Sequence, residues 1–224
     1  IFTFLPIAIF VAMPTVIRVR LTRKQARSTV VHWRDRVQLR FRTAGKYVWM
    51  FAWWKTRLDP MFGDLPELLK LAPPPRVMLD LGCGYGVAGN TLVEWYPGVT
   101  VYGIDPDPAR VPVAAAAFGS RGTAFVAGAP DFEVPGLPAT FDTVLCLDMI
   151  HFLTEAELQT TFGRLHGRLL HGGFLFLRSL LPPAGRGSIG LNLQVLTRKL
   201  TGGVVHHRSA QTIEQLLAAT GFTI

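Results

Sequence analysis

The segment Val77-Met78-Leu79-Asp80-Leu81-Gly82-Cys83-Gly84-Tyr85-Gly86 carries an acid near the end of an apolar run, then glycines at alternate positions. Glycine tolerates positive φ and lets another group come close to the backbone. A helix starting after the loop would add N–H donors at its N-terminus. In α/β sheets, such a loop at the carboxyl end of a strand is where ligands bind. The frame is G-x-G-x-G. The third position of a G-x-G-x-x-G dinucleotide fingerprint falls on Val87, and Gly86 comes one residue early. Asp80 would repel a pyrophosphate, whereas it suits a cationic ligand. A second acid, Asp105, ends the run Val101-Tyr102-Gly103-Ile104-Asp105, 19 residues after Gly86. Its carboxylate can accept from both hydroxyls of a ribose, a role that NAD enzymes share. Asp107 could substitute for it.

The elements that must position these residues alternate. Strands are predicted at Val77–Leu81, Thr100–Ile104, Ala124–Ala127, Phe141–Leu147 and Gly173–Leu180. Helices are predicted at Tyr85–Trp95, Pro108–Phe118, Glu155–Leu170 and Thr212–Thr220. This pattern implies an α/β fold with a mainly parallel sheet covered on both faces. Upstream, Lys46–Leu58 has Tyr47, Val48, Phe51, Trp54 and Leu58 at helical spacing. Asp59-Pro60 ends that helix, because proline disfavours the α conformation before it. Asp64–Leu71 reads as a short helix and Pro73-Pro74-Pro75 as a stiff linker. The organisation is therefore 1–27, 28–75 as a basic and aromatic helical linker, and 76–224 as the ligand-binding domain. The chain starts at Ile1 rather than Met and stops at Ile224, so both ends read as cut from a longer protein.

The net charge of +8 is unevenly placed. Residues 1–60 hold 12 Lys/Arg against Asp35 and Asp59, giving +10, and the remaining 164 residues carry −2. A nucleic-acid enzyme would more often carry its basic surface on the catalytic domain, which makes nucleic acid a poor partner for this one. Ile1–Ile17 is almost wholly apolar and is followed by Arg18, Arg20, Arg23, Lys24 and Arg27. That order fits the last part of a transmembrane helix with a cytoplasmic basic flank. A signal peptide would carry its charges before the apolar run. In Ser28–Arg42, Val37, Leu39 and Phe41 alternate with Arg36, Gln38, Arg40 and Arg42. A short strand, an amphipathic helix on anionic lipid and a solvated basic linker all fit. Membrane association through residues 1–42 would put the protein at an inner or cytoplasmic membrane, with its catalytic domain in the cytoplasm; a cytoplasmic protein is the alternative. Cys83 and Cys146 lack metal-ligand spacing and suggest no disulfide framework, so no metal site is expected.

From Arg76 onward, about two-thirds of the chain resembles a class I S-adenosylmethionine-dependent methyltransferase. The first-strand motif of that family resembles Leu79-Asp80-Leu81-Gly82-Cys83-Gly84-Tyr85-Gly86. Its fourth-strand motif is echoed by Phe141 to Leu153, which includes Leu147, Asp148 and His151. A later turn is echoed by Leu169-Leu170-His171-Gly172-Gly173-Phe174-Leu175, with His171 where proline is usual, and a late helix by Thr212–Phe222. The resemblance implies a Rossmann-like, doubly wound sheet binding S-adenosyl-L-methionine. By it, Asp80, Gly82, Gly84 and Gly86, with Cys83 and Tyr85 between them, line the methionine half of the cofactor. Asp105, followed by Pro106, holds the ribose, and Leu147 and Asp148 lie beside the cofactor. The family often has an acid near the third strand that contacts adenine. Here Gly128 and Ala129 stand at that place and Asp131 comes slightly later, so backbone N–H groups or Asp131 would read the adenine. Lys55 to Phe62 resembles a K-x-R-x-D-P-x-F stretch of some bacterial methyltransferases found near lipid or polyene biosynthesis genes. It suggests that Lys55, Asp59 and Phe62 close over the pocket or order the N-terminal helix.

Methyl transfer from a sulfonium needs alignment first and a base only if the acceptor must lose a proton. His151 and Asp148 are the candidates for that base. Asp142 is expected in the turn opening the fourth strand, and His166 and His171 at the surface. His206-His207 lies in a loop-like stretch that could cover the site. The function expected is methyl transfer to a hydrophobic, possibly lipid-like, small molecule. The alternatives are an RNA or protein methyltransferase gripping its substrate through Arg36, Arg40 and Arg42, and a non-catalytic domain fused to a membrane protein.

Overall fold

The structure is a computed structural model describing residues 32–179 and 205–224. Five parallel strands form one sheet: β1 (Val77–Leu81), β2 (Thr100–Asp105), β3 (Gly122–Val126), β4 (Phe141–Leu147) and β5 (Leu169–Arg178). Their order is β3-β2-β1-β4-β5, with the reversal at β1 that creates a crevice at the strand ends. Strand β1 is central and covered on both faces, so it is apolar throughout except for Asp80. Its side chains still alternate. Leu79 and Leu81 join Val144, Leu158, Phe162 and Leu165 on one face. Met78 joins Leu92, Val101, Ala114 and Phe118 on the other. The crossover helices α4 (Val87–Trp95) and α5 (Val111–Phe118) cover this second face, while α6 (Glu155–Arg168) and α7 (Ala210–Ala219) cover the first.

Three helices precede the sheet: α1 (Trp33–Leu39), α2 (Lys46–Leu58) and α3 (Met61–Leu69). They share a core with the sheet domain, where Val37, Phe41, Val48, Ala52, Met61 and Phe62 pack with Val87 and Ala117. Glu94 adds a polar tie, accepting from Arg36 Nε at 2.6 Å and from Arg40 Nη2 at 2.5 Å. Residues 33–69 are thus packed onto the crossover helices.

Several elements differ from expectation for identifiable reasons. Of the readings open for residues 36–42, the strand fails and a helix extends to Leu39, because the buried apolar residues Val37 and Phe41 are one helical turn apart, with Gln38 buried beside them, while Leu39 is exposed. Helix α3 begins at Met61, immediately after Pro60, rather than at Asp64. Proline breaks the helix before it but suits the start of the next one, and the Asp59 carboxylate accepts from the Met61 N–H at 3.0 Å. Strand β5 starts at Leu169 instead of Gly173. Its register on β4 slips between Phe141↔Leu169 and Thr143↔Phe174, so the Gly172-Gly173 turn is a bulge within the strand rather than a loop before it. Helix α4 starts at Val87, since Tyr85 and Gly86 belong to the glycine turn.

The apolar segment 1–27 lies outside the described residues, as does Leu180, expected in the last strand. Among the described residues, no helix is long and apolar enough to cross a membrane. Phe62 is fully buried where α3 meets the sheet domain. Phe62→Ala should therefore cost about 3–5 kcal/mol. Urea unfolding checks this, and an unchanged midpoint would mean that the N-terminal helices do not share the domain's stability.

Candidate functional site at the glycine loop

Asp80 sits near the carboxyl end of β1 and is only 2% exposed. It faces α4, and its Oδ2 accepts from the Gly89 N–H at 3.0 Å. Burial pushes its carboxyl up to about 7, the Gly89 bond acts against this, and the nearby Asp105 charge adds to the rise. Glycine is required at position 89 because a Cβ there would lie 2.8 Å from Phe118 Cε1, 2.9 Å from Val101 Cγ1 and 3.0 Å from that same carboxylate oxygen.

The loop that follows is clamped to β2. The N–H groups of Gly82 and Cys83 both donate to the Ile104 carbonyl, at 2.8 and 3.0 Å. Asp105 Oδ2 accepts from the Gly84 N–H at 2.8 Å, and Oδ1 from the Asp107 N–H at 3.0 Å. All three loop glycines have positive φ. Their surroundings differ. A Cβ on Gly82 would lie 2.7 Å from Met149 Cβ, whereas one on Gly84 would meet nothing within 4 Å. The loop is closed against the protein at Gly82 and open at Gly84, next to the Asp105 carboxylate. Tyr85 stands at the rim, its ring 5.5 Å from that of Phe51 on α2, with the Arg110 guanidinium over the Tyr85 ring at 5.7 Å.

The remaining predicted residues are distributed around this centre. Ala127 N–H donates to the Asp105 carbonyl, which brings Gly128 and Ala129 to the end of β2. Asp131 is turned outward; its side chain is 81% exposed and paired with Arg164 at 2.9 Å. Pro106 is exposed after Asp105, and Leu147 is half-buried at the end of β4. Cys83 and Cys146 are both buried thiols. Burial pushes Cys146 up to about 12 and raises Cys83 further, so both act as packing residues. Asp142 anchors the start of β1, accepting from the Arg76 and Val77 N–H groups, both at 2.9 Å.

At the β4 end, Asp148 is the one non-glycine with positive φ among the described residues, at 58°. Its carboxylate belongs to a four-charge network. Arg178, the last residue of β5, donates through Nε to Asp148 Oδ1 at 2.7 Å and also bonds Oδ2. The same guanidinium donates to both oxygens of Asp59, at 2.6 and 2.8 Å. Lys55 completes the ring, 2.7 Å from Asp59 and 3.4 Å from Asp148. Burial alone would raise the Asp59 carboxyl, but Arg178 and Lys55 outweigh it and hold it well below the usual carboxylate range. For Arg178, burial acts to lower and its two carboxylate partners prevail, so it stays charged. Lys55 and Asp59 thus order the N-terminal helices against the strand ends, and Phe62 packs beneath. Sequence reasoning missed Arg178. The available signal was a lone cation ending the apolar run Phe174–Leu177.

His151 follows in the short 3-10 turn Ile150–Phe152 and is buried. Its carbonyl accepts from the His206 N–H at 2.8 Å, and Arg208 donates to the Ile150 and Leu153 carbonyls. The stretch 205–209 therefore returns to the β4 end. There it lines a cavity of about 510 Å³ with Glu155 and Thr212.

With this geometry in view, the relatives are informative. A family model described as a methyltransferase domain matches residues 79–175, from β1 into β5. No curated protein matches the chain by sequence. Among solved structures, an S-adenosylmethionine-dependent methyltransferase of Mesorhizobium loti is 25% identical, with a TM-score of 0.58, over 72% of this chain and 81% of that one. Human N-acetylserotonin methyltransferase, solved with its S-adenosylmethionine, is 18% identical, with a TM-score of 0.56. It aligns over 80% of this chain and 51% of its own. A phosphoethanolamine N-methyltransferase of Haemonchus contortus, solved with phosphomonomethylethanolamine and S-adenosylhomocysteine, is 24% identical with a TM-score of 0.61. It aligns over 86% of this chain and 45% of its own. The chain spans about half the length of these last two proteins. Residues 79–175 thus match a methyltransferase domain, and the sheet around them shares the fold of S-adenosylmethionine-dependent methyltransferases.

Removing Arg178 would leave Asp59 and Asp148 facing each other across Lys55 alone. Arg178→Met should cost about 2 kcal/mol, less than a fully buried pair because Asp148 is partly hydrated. Chemical denaturation reads this, and wild-type stability in the variant would mean that the network does not hold the helices.

Proposed function

We propose that this chain binds S-adenosylmethionine at the glycine loop and transfers its methyl group to a hydrophobic, lipid-like small molecule at a membrane surface. The observation that carries the cofactor part is the open cradle over Gly84, between the buried Asp80 and the Asp105 carboxylate. A negative charge on one side and a two-oxygen acceptor on the other suit a ligand with a cationic end and a ribose. When bound, the cofactor supplies an activated methyl group on a sulfur that is already an excellent leaving group.

The protein's own part is alignment. Asp80 supplies the charge that a cation requires, and Gly84 leaves room for it. Asp105 accepts from hydroxyls, giving up the Gly84 amide where the two compete. Asp148 is engaged by Arg178 and Lys55, so its role is to position the β4 end. That leaves His151 to take a proton from an oxygen acceptor.

A small-molecule acceptor is supported by N-acetylserotonin and phosphomonomethylethanolamine, the small molecules named with the human and Haemonchus neighbours, and its lipid-like character by the basic, apolar N-terminus. Residues 1–42 would tether the chain, with the domain on the cytoplasmic side. A nucleic-acid substrate is less well served, since Arg36 and Arg40 are both drawn to Glu94.

Calorimetry with S-adenosylmethionine and S-adenosylhomocysteine should show saturable binding by the native chain. Gly84→Val should abolish it, because the side chain fills the open cradle and a β-branched residue strains the loop at φ +56°, and circular dichroism checks that the fold survives. No heat with the native chain would refute the cofactor reading.

The pH dependence follows from Asp80. Its carboxyl ionises near 7 without ligand, and a cation favours the ionised form. Affinity for S-adenosylmethionine should be flat above pH 8 and weaken by up to about tenfold per pH unit below 7. Asp80→Asn should bind weakly with no such slope, and a native affinity independent of pH would exclude Asp80 from the cationic end.

A further inference from the structure

Helix α2 has two working faces. Its inward face buries Val48, Ala52 and Thr56. Phe51 and Lys55 flank that face and reach the Tyr85 ring and the Asp148 carboxylate at the strand ends. The outward face carries Tyr47, Met50, Trp54 and Leu58, each more than two-fifths exposed, with Tyr47 at 71%. Spaced by three or four residues, they form one stripe along the helix. Lys46 at the helix start and Arg42 just before it are exposed beside the stripe, and the helix has no acidic residue.

We propose that this stripe is a docking face for an anionic lipid bilayer, so that the methyltransferase domain sits on the membrane through α2 itself. The inference rests on the membrane reading above and adds the surface that makes contact. Tyrosine and tryptophan favour the membrane–water interface. A helix with an apolar row and flanking Lys/Arg lies in that interface, drawn by anionic headgroups. The charge is complementary, since residues 1–46, which lead into the stripe, carry +9. The geometry also gives docking a use. The helix is about 10 Å across, and the glycine loop and the β4 end lie against its inner face. A domain seated on the outer face holds its strand ends about one helix diameter from the bilayer, within reach of an acceptor dissolved there.

The test is flotation of the full chain with vesicles of phosphatidylcholine and phosphatidylglycerol, and with phosphatidylcholine alone. The native chain should float with the anionic vesicles and less with the neutral ones. Tyr47→Ser combined with Trp54→Ser should weaken partition by about tenfold or more and leave S-adenosylmethionine affinity unchanged. In parallel, brominated lipid should quench tryptophan emission of the native chain, and Trp54→Phe, which keeps the packing, should lose part of that quenching. If the double variant floats like the native chain, or Trp54→Phe is quenched to the same extent, the stripe is not the contact, although the membrane reading survives. A native chain that binds neither vesicle overturns both, while the calorimetry judges the cofactor reading separately.

Discussion

A carboxylate withdrawn from water at the end of the central strand has to be compensated, and most of the site is arranged around that requirement. Asp80 receives one hydrogen bond, from Gly89, and faces a second acid, Asp105, rather than a cation. Its ionised form is left under-supported, which is costly for an apo protein and useful for one that binds a positive ligand. The neighbouring glycines follow from the same constraint. Gly89 lets the helix approach Asp80, Gly82 lets the loop close on Met149, and Gly84 keeps the ligand side open. Asp105, holding the Gly84 amide, keeps the loop in shape without a ligand.

The second organising feature is the ring of Lys55, Asp59, Arg178 and Asp148. It joins the α2–α3 corner to the ends of β4 and β5, and it engages Asp148, whose positive φ of 58° is one that aspartate adopts more readily than most residues. The two charge systems sit at the same end of the sheet but behave differently. The ring satisfies its own charges and serves as scaffold, whereas the Asp80–Asp105 pair remains short of positive charge. Helix α2 spans from one to the other.

Much of this was legible in the chain itself, where a local rule decided the outcome. Strands β1 and β4 and helix α2 have the predicted bounds, because burial on both faces or a 3.6-residue period leaves an unambiguous pattern. The glycine loop was legible because strand, acid and alternating glycines are contiguous. Long-range geometry was not. Arg178 meets Asp59 across 119 residues, and no local pattern announces such a pair. The residues 36–42 alternate in polarity, yet tertiary packing selects Val37 and Phe41 and turns the segment into the end of a helix. The bulge in β5 arises from its register against β4, which the strand alone does not encode. The outward turn of Asp131 likewise depends on Arg164, a partner on another element.

A crystal structure grown with S-adenosylhomocysteine tests the central claim most directly. The account requires the ligand over Gly84, its amino-acid end beside Asp80 and its ribose hydroxyls within hydrogen-bond distance of Asp105. A ligand bound elsewhere, or one seated at the loop with its ribose away from Asp105, would contradict it.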